Sequence, residues 1–214
     1  MKTTFAATVA AGLLAAGASL PVTAHEAGDW IVRGGFHYIS PKSNNARIDS
    51  NVPVVGGAKI EVDEDTMFTF DVTYMMTRNW GVELLAAAPF EHDIQVGGAK
   101  VASTKHLPPT LSVVYAFMPD NAIQPYAGLG LNMTVFFDEN IDIPGADLNL
   151  DTSLGLAAVA GVDIDLGDNW FLNADIRYLD IETDAKIFIP GVGTTKPTVE
   201  IDPWAFGLNV GFKF

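Results

Sequence analysis

Alternation of apolar and polar residues is the feature that most constrains the fold of this chain. It is clearest at the C-terminus, where Phe206, Leu208, Val210, Phe212 and Phe214 alternate with small or polar residues. Successive side chains of a strand point to opposite faces, so a period of two predicts strands with one apolar face. The same period predicts eight strands, at residues 29–40, 66–76, 80–90, 107–117, 124–137, 154–166, 170–179 and 204–214.

The connections between these segments alternate strictly in length. Long connections span residues 41–65, 91–106, 138–152 and 180–198, and short ones span residues 77–79, 118–123 and 167–169. Bacterial outer-membrane barrels have short periplasmic turns and long outer loops, and an even strand number returns both termini to the periplasm. The sequence therefore predicts an all-β protein, an eight-stranded antiparallel transmembrane β-barrel with short periplasmic turns and long extracellular loops.

Aromatic residues on the apolar faces fall into two groups once the strands are oriented. The turn end carries Trp30, Trp80, Tyr115, Phe117, Trp170, Phe212 and Phe214, and the loop end carries Tyr38, Phe68, Phe90, Phe137, Tyr178 and Trp204. Two aromatic belts are typical of the two interfaces of a membrane. A soluble barrel would place its apolar residues inside and has no reason to gather aromatic residues into two outer rings. The apolar faces are therefore expected to contact outer-membrane lipid and lipopolysaccharide.

The first 24 residues have the parts of an export signal. Lys2 precedes an uncharged apolar run at residues 5–20, and Val22-Thr23-Ala24 supplies small residues for cleavage. The run is shorter than the roughly 20 residues that a membrane-spanning helix needs. We expect cleavage after Ala24, which leaves a barrel domain at residues 25–214 and places it in the bacterial outer membrane after passage through the periplasm.

Composition and motifs argue against several other classes of function. The formal net charge of −14 is unfavourable for nucleic acid binding. The four histidines lack the spacing of a metal site, and the chain has neither a glycine-rich phosphate loop nor a nucleophile elbow. The sequence therefore predicts no metal, no cofactor and no enzymatic activity.

A set of short motifs resembles the OmpW family of small outer-membrane barrels, including its alkane-importing AlkL branch. The similarity covers nearly all of the chain after the signal. The motifs are Asp65-Thr66 with residues 68–71, residues 124–131, Phe136-Phe137, residues 168–178, residues 201–204 and the C-terminal phenylalanine. The resemblance implies an eight-stranded barrel around a narrow apolar channel that brings small hydrophobic compounds across the outer membrane. The alternating end of the chain also resembles the signal read by the barrel-assembly machinery, although a lipid-facing last strand explains the same residues.

The inward face divides into two environments. Near the turn end we expect a plug of paired charges, because buried charges persist only when partnered and a barrel of this size is filled by side chains. The plug residues are Arg33, Asp71, Glu83, Asp163, Asp165, Asp175, Arg177 and Lys213. Near the loop end we expect an apolar upper lumen that binds a hydrophobic solute. Its residues are Ile39, Met67, Leu85, Pro89, Pro108, Phe136, Leu179 and Pro203.

These two halves lead to a hypothesis of lateral exit. An apolar solute is repelled by a charged plug, and a sideways path into the bilayer avoids it. Proline lacks the N–H that a strand ladder needs, so Pro89, Pro108, Pro109 and Pro203 are candidate weak points. The alternative is that these prolines only end the strands at the rim.

The leading function is passive uptake of small hydrophobic molecules. A structural or adhesive barrel with acidic surface loops is the second possibility. A lipid-modifying membrane enzyme is the third, although Asp93, Ser103, Thr104 and His106 offer only loose material for a catalytic site. Apolar residues in the long connections, among them Ile141, indicate either strands that extend above the membrane or loose tips.

Overall fold

The computed structural model describes residues 24–42, 46–47, 59–96, 98–191 and 193–214. The predicted export signal, apart from Ala24, lies outside the described residues. Val52, Val54 and Val55, apolar residues of the first long connection, lie outside them as well. No helix in the described part of the chain is long and apolar enough to cross a bilayer.

The described residues form sixteen strands and no helix. They are β1 (Trp30–Ser40), β2 (Ala46–Arg47), β3 (Lys59–Val62), β4 (Asp65–Met75), β5 (Trp80–Ala87), β6 (Phe90–Val96), β7 (Ala99–Leu107), β8 (Thr110–Ala116), β9 (Ile123–Ile141), β10 (Asp147–Leu150), β11 (Ser153–Gly167), β12 (Trp170–Leu179), β13 (Glu182–Ile189), β14 (Gly193–Thr195), β15 (Thr198–Glu200) and β16 (Trp204–Lys213).

Eight of these strands close into an antiparallel barrel, as predicted. Around the wall the order is β1, β4, β5, β8, β9, β11, β12 and β16, and the pairing of β16 with β1 closes the ring. Val32 pairs with Phe212 at that closure. A closed wall satisfies the backbone hydrogen bonds of every strand internally, which is what a β-structure in lipid requires.

The residue types in the short turn between β11 and β12 suit its backbone conformation. Gly167, Asp168 and Asn169 have φ values of 85°, 51° and 67°. Glycine, asparagine and aspartate tolerate this left-handed region better than other residues, so they suit a tight turn between antiparallel strands. Trp170 follows at once and begins the next strand, so this end of the barrel is held close to the membrane interface.

The long connections contain strands. Of the two alternatives that the sequence left open, extended strands or loose tips, the described residues therefore show extended strands. β6 and β7 form a hairpin, β7 continues along the upper part of β9, and β13 pairs with β10, β14 and β15. β9 itself runs to Ile141, beyond the predicted end at residue 137. The barrel wall therefore rises above the membrane-spanning part as a second tier.

The two faces of the wall have the predicted sidedness. Leu129, Leu154 and Leu208 point outward, with 73%, 74% and 69% of their surface exposed. Aromatic pairs lie at both ends of this outer band, for example Trp170 with Phe212 and Tyr178 with Trp204. The inward side chains are buried and polar in the lower half. An exposed apolar band between aromatic rings is the surface that lipid covers.

Two predictions at the top of the third wall strand are wrong. Pro89 is exposed rather than in the lumen, and Phe90 is only 1% exposed rather than in the outer aromatic belt. The register explains both, because Leu85 pairs with Thr110 whereas Phe90 pairs with His106, a shift of one residue. A shift of one residue exchanges the two faces of a strand. The alternation read from residues 80–86 therefore does not continue past Ala88.

Candidate functional site

Arg33 is the centre of a buried ion network low in the lumen. Its guanidinium makes a two-point contact with Asp163, at 3.1 Å from Nε and 2.6 Å from Nη2. Nη1 donates to Asp71 at 2.8 Å and to Thr73 at 3.1 Å. The side chain is 4% exposed and also lies 5.0 Å from the centre of the Tyr126 ring. Arg33 on β1 thus ties β4 to β11 across the interior of the barrel.

A second arginine forms the upper part of this network. Arg177 donates from Nη1 to Glu83 at 2.6 Å and from Nε to Asp175 at 2.9 Å. Asp175 also lies 3.0 Å from Nε2 of His37, whose Nδ1 is 2.6 Å from the hydroxyl of Thr69. All five side chains are buried. The two arginines and their carboxylates therefore fill the cross-section of the lumen.

Two asparagines join the upper and lower halves of the network. Asn173 donates to Asp163 at 2.8 Å, and Asn209 donates to Asn173 at 2.8 Å and to Asp175 at 3.0 Å. Such connected networks hold their members in place, and an apolar solute would have to replace these partners to pass. We call this set of residues 33, 71, 83, 163, 173, 175, 177 and 209 the plug.

Two predicted plug residues lie elsewhere. Lys213 is near the N-terminal segment, where its Nζ donates to the carbonyl of Ala24 and lies 3.5 Å from Asp29. Asp165 is half-buried at the turn end and accepts from the backbone N–H of Gly167 at 2.7 Å. Both residues are on inward positions of their strands, but these positions are at the periplasmic mouth. Distance along the strand axis, and not the facing direction, separates them from the plug.

The predicted upper-lumen residues, apart from Pro89, lie on the inner side of the wall. Ile39 packs with Phe90 and Ala205, and Met67 is partly buried against that cluster. Phe136 and Leu179 belong to a second buried apolar cluster higher in the barrel. The remaining predicted residues, Leu85, Pro108 and Pro203, are also buried. These positions form the lower rim of an apolar space rather than the whole of it.

An apolar cavity of about 100 Å³ lies above this rim. Its walls come from β3, β6, β7, β9, β10, β13 and β15 and from two residues beyond strand ends, and most of its lining is aliphatic. Examples are Ile94, Leu148, Ile187, Val199 and Ile201. An engineered protein cavity of ~150 Å³ lined by apolar residues binds benzene. The volume of this cavity is of the same order, which suits a small apolar molecule. The sequence analysis did not locate the cavity because most of its walls lie in segments predicted as loops.

Three stacked rings, Phe90, His92 and His106, lie beside the cavity, and Phe136 is tilted at 46° to His106. His92, His106 and Phe136 line the cavity. His92 and His106 lie 5.0 Å apart at an interplanar angle of 12°, Phe90 lies 5.4 Å from His106, and Phe136 lies 5.8 Å from His106. In the sequence, the signal for these rings is the alternation that resumes at Phe90 after the register shift. Groups of three or more metal-ligating side chains do not occur within the described ranges.

The wall is interrupted below the cavity. Pairing between β5 and β8 ends at Leu85 with Thr110, and pairing between β6 and β7 begins at Phe90 with His106. Residues 86–89 and 107–109 face each other with no ladder pair in this described part of the wall. The first stretch consists of three alanines and a proline. We call these seven residues the wall gap.

The wall gap keeps its outer partners. On one side the N–H of Ala88 donates to Phe68 at 3.1 Å. On the other, the carbonyl of Pro109 accepts from Met133 at 3.0 Å, and the carbonyl of Pro108 accepts from the side chain of Asn132 at 3.1 Å. The break is therefore confined to one strand boundary. Pro203 differs, because its carbonyl accepts from Leu179 at 3.2 Å where pairing of β12 with β16 ends.

A closed β-barrel with an apolar lipid-facing band, two aromatic belts and a filled lower lumen is an integral outer-membrane protein of bacteria. Sequence and structure comparisons agree. The model of the OmpW family matches residues 26–214. Outer membrane protein W of Vibrio cholerae serotype O1 is 41% identical over 214 residues, which is 94% of this chain and 96% of that protein. The chain belongs to the OmpW family.

Solved structures show the same fold. The crystal structure of the outer membrane protein OprG from Pseudomonas aeruginosa is 41% identical, with a TM-score of 0.82, and the match covers 89% of this chain and 98% of that one. The solid-state NMR structure of outer membrane protein AlkL in lipid bilayers is 25% identical, with a TM-score of 0.68, and the match covers 90% and 93% of the two chains.

Proposed function

We propose that this protein is a passive channel for small hydrophobic molecules, which enter the apolar cavity from outside and leave sideways into the outer membrane. There is no chemical step. The observation that carries the proposal is the position of the wall gap, which lies between the cavity above and the plug below. The likeness to AlkL, and the resemblance of the sequence motifs to the alkane-importing branch of the family, support a hydrophobic solute.

The plug supports an exit above it. Straight passage would bring an apolar solute against Arg33, Arg177 and their carboxylates, which are buried and joined in pairs of 2.6–2.9 Å. Separating such pairs in the interior of a protein is unfavourable by several kcal/mol, on the order of 3–5 for loss of one partner. Lipid outside the wall is apolar, so a solute that leaves sideways does not have to separate these ion pairs.

The composition of the wall gap supports a sideways path. Alanine side chains at residues 86–88 leave more space than the leucines and valines elsewhere on this wall. Pro89, Pro108 and Pro109 cannot donate a backbone hydrogen bond across the gap. Opening the wall here therefore breaks no ladder pair. Opening it at the next position below would break the pair of Leu85 with Thr110.

A reversible cross-link across the gap tests the proposal. The chain has no cysteine, so Ala88→Cys with Leu107→Cys introduces a single new disulfide across the wall gap. We expect oxidation to reduce uptake of octane by cells or liposomes to the background without the protein, and reduction of the disulfide to restore it. Unchanged octane uptake in the oxidised protein would contradict lateral exit at this gap.

A second cysteine pair, below the gap on the adjoining strands β5 and β8, is the matched control. Val82 and Val113 are paired residues of β5 and β8 within the intact ladder. A disulfide there leaves the gap free, and we expect octane uptake to stay as in the unmodified protein. Pro89→Val provides an independent change, because it restores a donor at the gap and is expected to lower uptake.

Two further expectations from the sequence stay as proposals. We propose cleavage of the export signal after Ala24, which mass spectrometry of the purified outer-membrane protein measures directly.

We propose that the C-terminal alternation is read by the barrel-assembly machinery. In β16 the residues Phe206, Leu208 and Val210 are exposed on the outer face, and Phe214 follows with 69% exposure.

A further inference from the structure

His92 presents a hydrogen-bond acceptor in an otherwise apolar part of the protein. Its Nδ1 lies 2.6 Å from the backbone carbonyl of Asp63. A carbonyl oxygen only accepts, so Nδ1 carries the proton, and Nε2 of the neutral ring is left with its lone pair. His92 is 2% exposed, and within the described residues its Nε2 has no hydrogen-bond partner.

His106 does not satisfy this acceptor. The two imidazoles are stacked at 12° with 5.0 Å between ring centres, an arrangement in which their nitrogens do not point at each other. Nδ1 of His106 is itself buried and has no partner in the described part of the chain. Both rings line the cavity. A buried polar atom left without a partner is unfavourable by about 1–3 kcal/mol.

The other polar groups of the cavity wall are already engaged. The hydroxyl of Thr183 donates to the carbonyl of Asp151 at 2.6 Å, and the hydroxyl of Thr104 donates to the carbonyl of Lys105 at 3.3 Å. The rest of the lining is apolar. Among the described lining residues, Nε2 of His92 and Nδ1 of His106 are thus the polar atoms open to a ligand.

The imidazoles are neutral at ordinary pH. Burial lowers the pKa of His92, against the opposing effect of the Asp63 carbonyl and of the carboxylates of Asp65, Asp63 and Asp93. Burial, with a smaller effect of His92, lowers the pKa of His106 to about 3. A neutral ring keeps the lone pair on Nε2 of His92 free to accept.

We infer that the cavity selects small molecules with an apolar body and one hydroxyl or N–H donor, such as phenols and short alkanols, with His92 Nε2 accepting the hydrogen bond. This inference rests on the proposed function and narrows its solute class. The stack also lies next to the wall gap, since Phe90 follows Pro89 and His106 precedes Leu107. A solute that moves from the cavity to the gap passes these nitrogens.

Two probes of nearly the same shape test the inference. 4-Fluorophenol carries a donor and 4-fluorotoluene does not, and ¹⁹F NMR measures the binding of each to the protein in lipid nanodiscs, with empty nanodiscs as the correction for lipid partition. In His92→Phe the stacked ring is kept and the acceptor is lost. We expect fluorophenol binding to weaken about fivefold, the effect of one net hydrogen bond, and fluorotoluene binding to change less than about twofold.

A control variant separates the acceptor from a general change in this hairpin. Ser103 lies on the opposite face of β7 from Thr104, outside the cavity lining. Ser103→Ala is expected to bind both probes as the unmodified protein does. Equal weakening of both probes in His92→Phe would overturn the inference, because it indicates loss of the cavity shape rather than of the acceptor.

A measurement on the unmodified protein makes the test independent of variant folding. With ¹⁵N-labelled histidine, we expect fluorophenol to shift the Nε2 resonance of His92 and fluorotoluene to leave it in place. A fluorophenol titration that leaves this resonance unchanged would overturn the inference while the proposed function stands. Failure of both probes to bind, together with unchanged octane uptake in the oxidised gap variant, would overturn the proposed function and this inference with it.

Discussion

Replacement of Arg33 by methionine tests whether the plug both stabilises the barrel and closes its lumen. The change removes the two-point contact with Asp163 and the bond to Asp71 and leaves these carboxylates buried, since they are 3% and 1% exposed. Loss of one partner of a buried ion pair lowers the free energy of unfolding by about 3–5 kcal/mol. Uptake of a proton by one carboxylate reduces this effect, so we expect about 3 kcal/mol.

Urea unfolding in lipid vesicles measures this change. The four tryptophans, Trp30, Trp80, Trp170 and Trp204, all lie on the outer face near the membrane interfaces, and their fluorescence reports the loss of the folded barrel. Planar-bilayer recordings provide the second readout. We expect a higher ionic conductance in Arg33→Met, because the guanidinium that ties β1 to β4 and β11 across the lumen is gone.

A double variant and a surface variant complete the experiment. Arg33→Met with Asp163→Asn removes one of the two carboxylate charges that Arg33→Met leaves without a partner. We therefore expect the double variant to recover part of the lost stability, because the effects of substitutions at contacting residues are not additive. Lys105→Met removes an exposed pair with Asp138, 3.2 Å apart, and is expected to change the free energy of unfolding by less than about 1 kcal/mol. A change below about 1 kcal/mol for Arg33→Met, or no recovery in the double variant, would refute a stabilising plug.

Three other changes probe the wall and the upper tier. Leu208→Arg places a charge on the middle of lipid-facing β16 and is expected to destabilise the protein by about 2–4 kcal/mol in vesicle unfolding, whereas equal stability would contradict lipid contact. Gly35→Val puts a Cβ 2.1 Å from the backbone oxygen of Leu208 and 2.6 Å from Asn209, so we expect a loss of about 3 kcal/mol or failure to fold, measured as the heat-modifiable fraction on gels. Acid is expected to loosen the upper tier, because the folded protein disfavours protonation of His92 and His106. That stability is present above their ordinary pKa of 6.5 and is lost as the pH falls below 6.5, towards the pKa of about 3 for His106. The protection of the β6 and β7 amides relative to their intrinsic exchange rates should therefore fall between pH 7 and pH 5, and His92→Phe with His106→Phe should remove the difference.

Local properties of the sequence were enough to predict the membrane-spanning barrel. The face on which a residue such as Leu208 lies follows from a period of two, and the side on which a connection lies follows from its length. Turn residues such as Asp168 and Asn169 also act locally, through φ values that they tolerate. Each of these signals requires only a few neighbouring residues. The predicted faces and turns were confirmed in the wall strands, except at the top of the third one, where Pro89 and Phe90 lie on the opposite faces.

The arrangement of the upper tier could be determined only from the tertiary structure. A shift of one residue between the pair Leu85–Thr110 and the pair Phe90–His106 turned Phe90 and His92 inward and Pro89 outward. Register is a property of two strands together, and reading one strand does not reveal where its partner slips. The cavity depends on that slip, so neither its position nor its imidazole acceptor could be predicted from alternation alone.

In the plug, the sequence determined which way each side chain faces, and the tertiary structure determined which residues pair. The sequence determined that Arg33, Asp163 and Lys213 are on inward positions, because facing direction follows the period of each strand. Only the closed barrel decided that Arg33 meets Asp163 at 2.6 Å and that Lys213 lies instead beside Ala24 and Asp29. The physical reason is that height in the lumen depends on the stagger of all eight strands around the ring, a non-local quantity, whereas the direction of a side chain is set within its own strand.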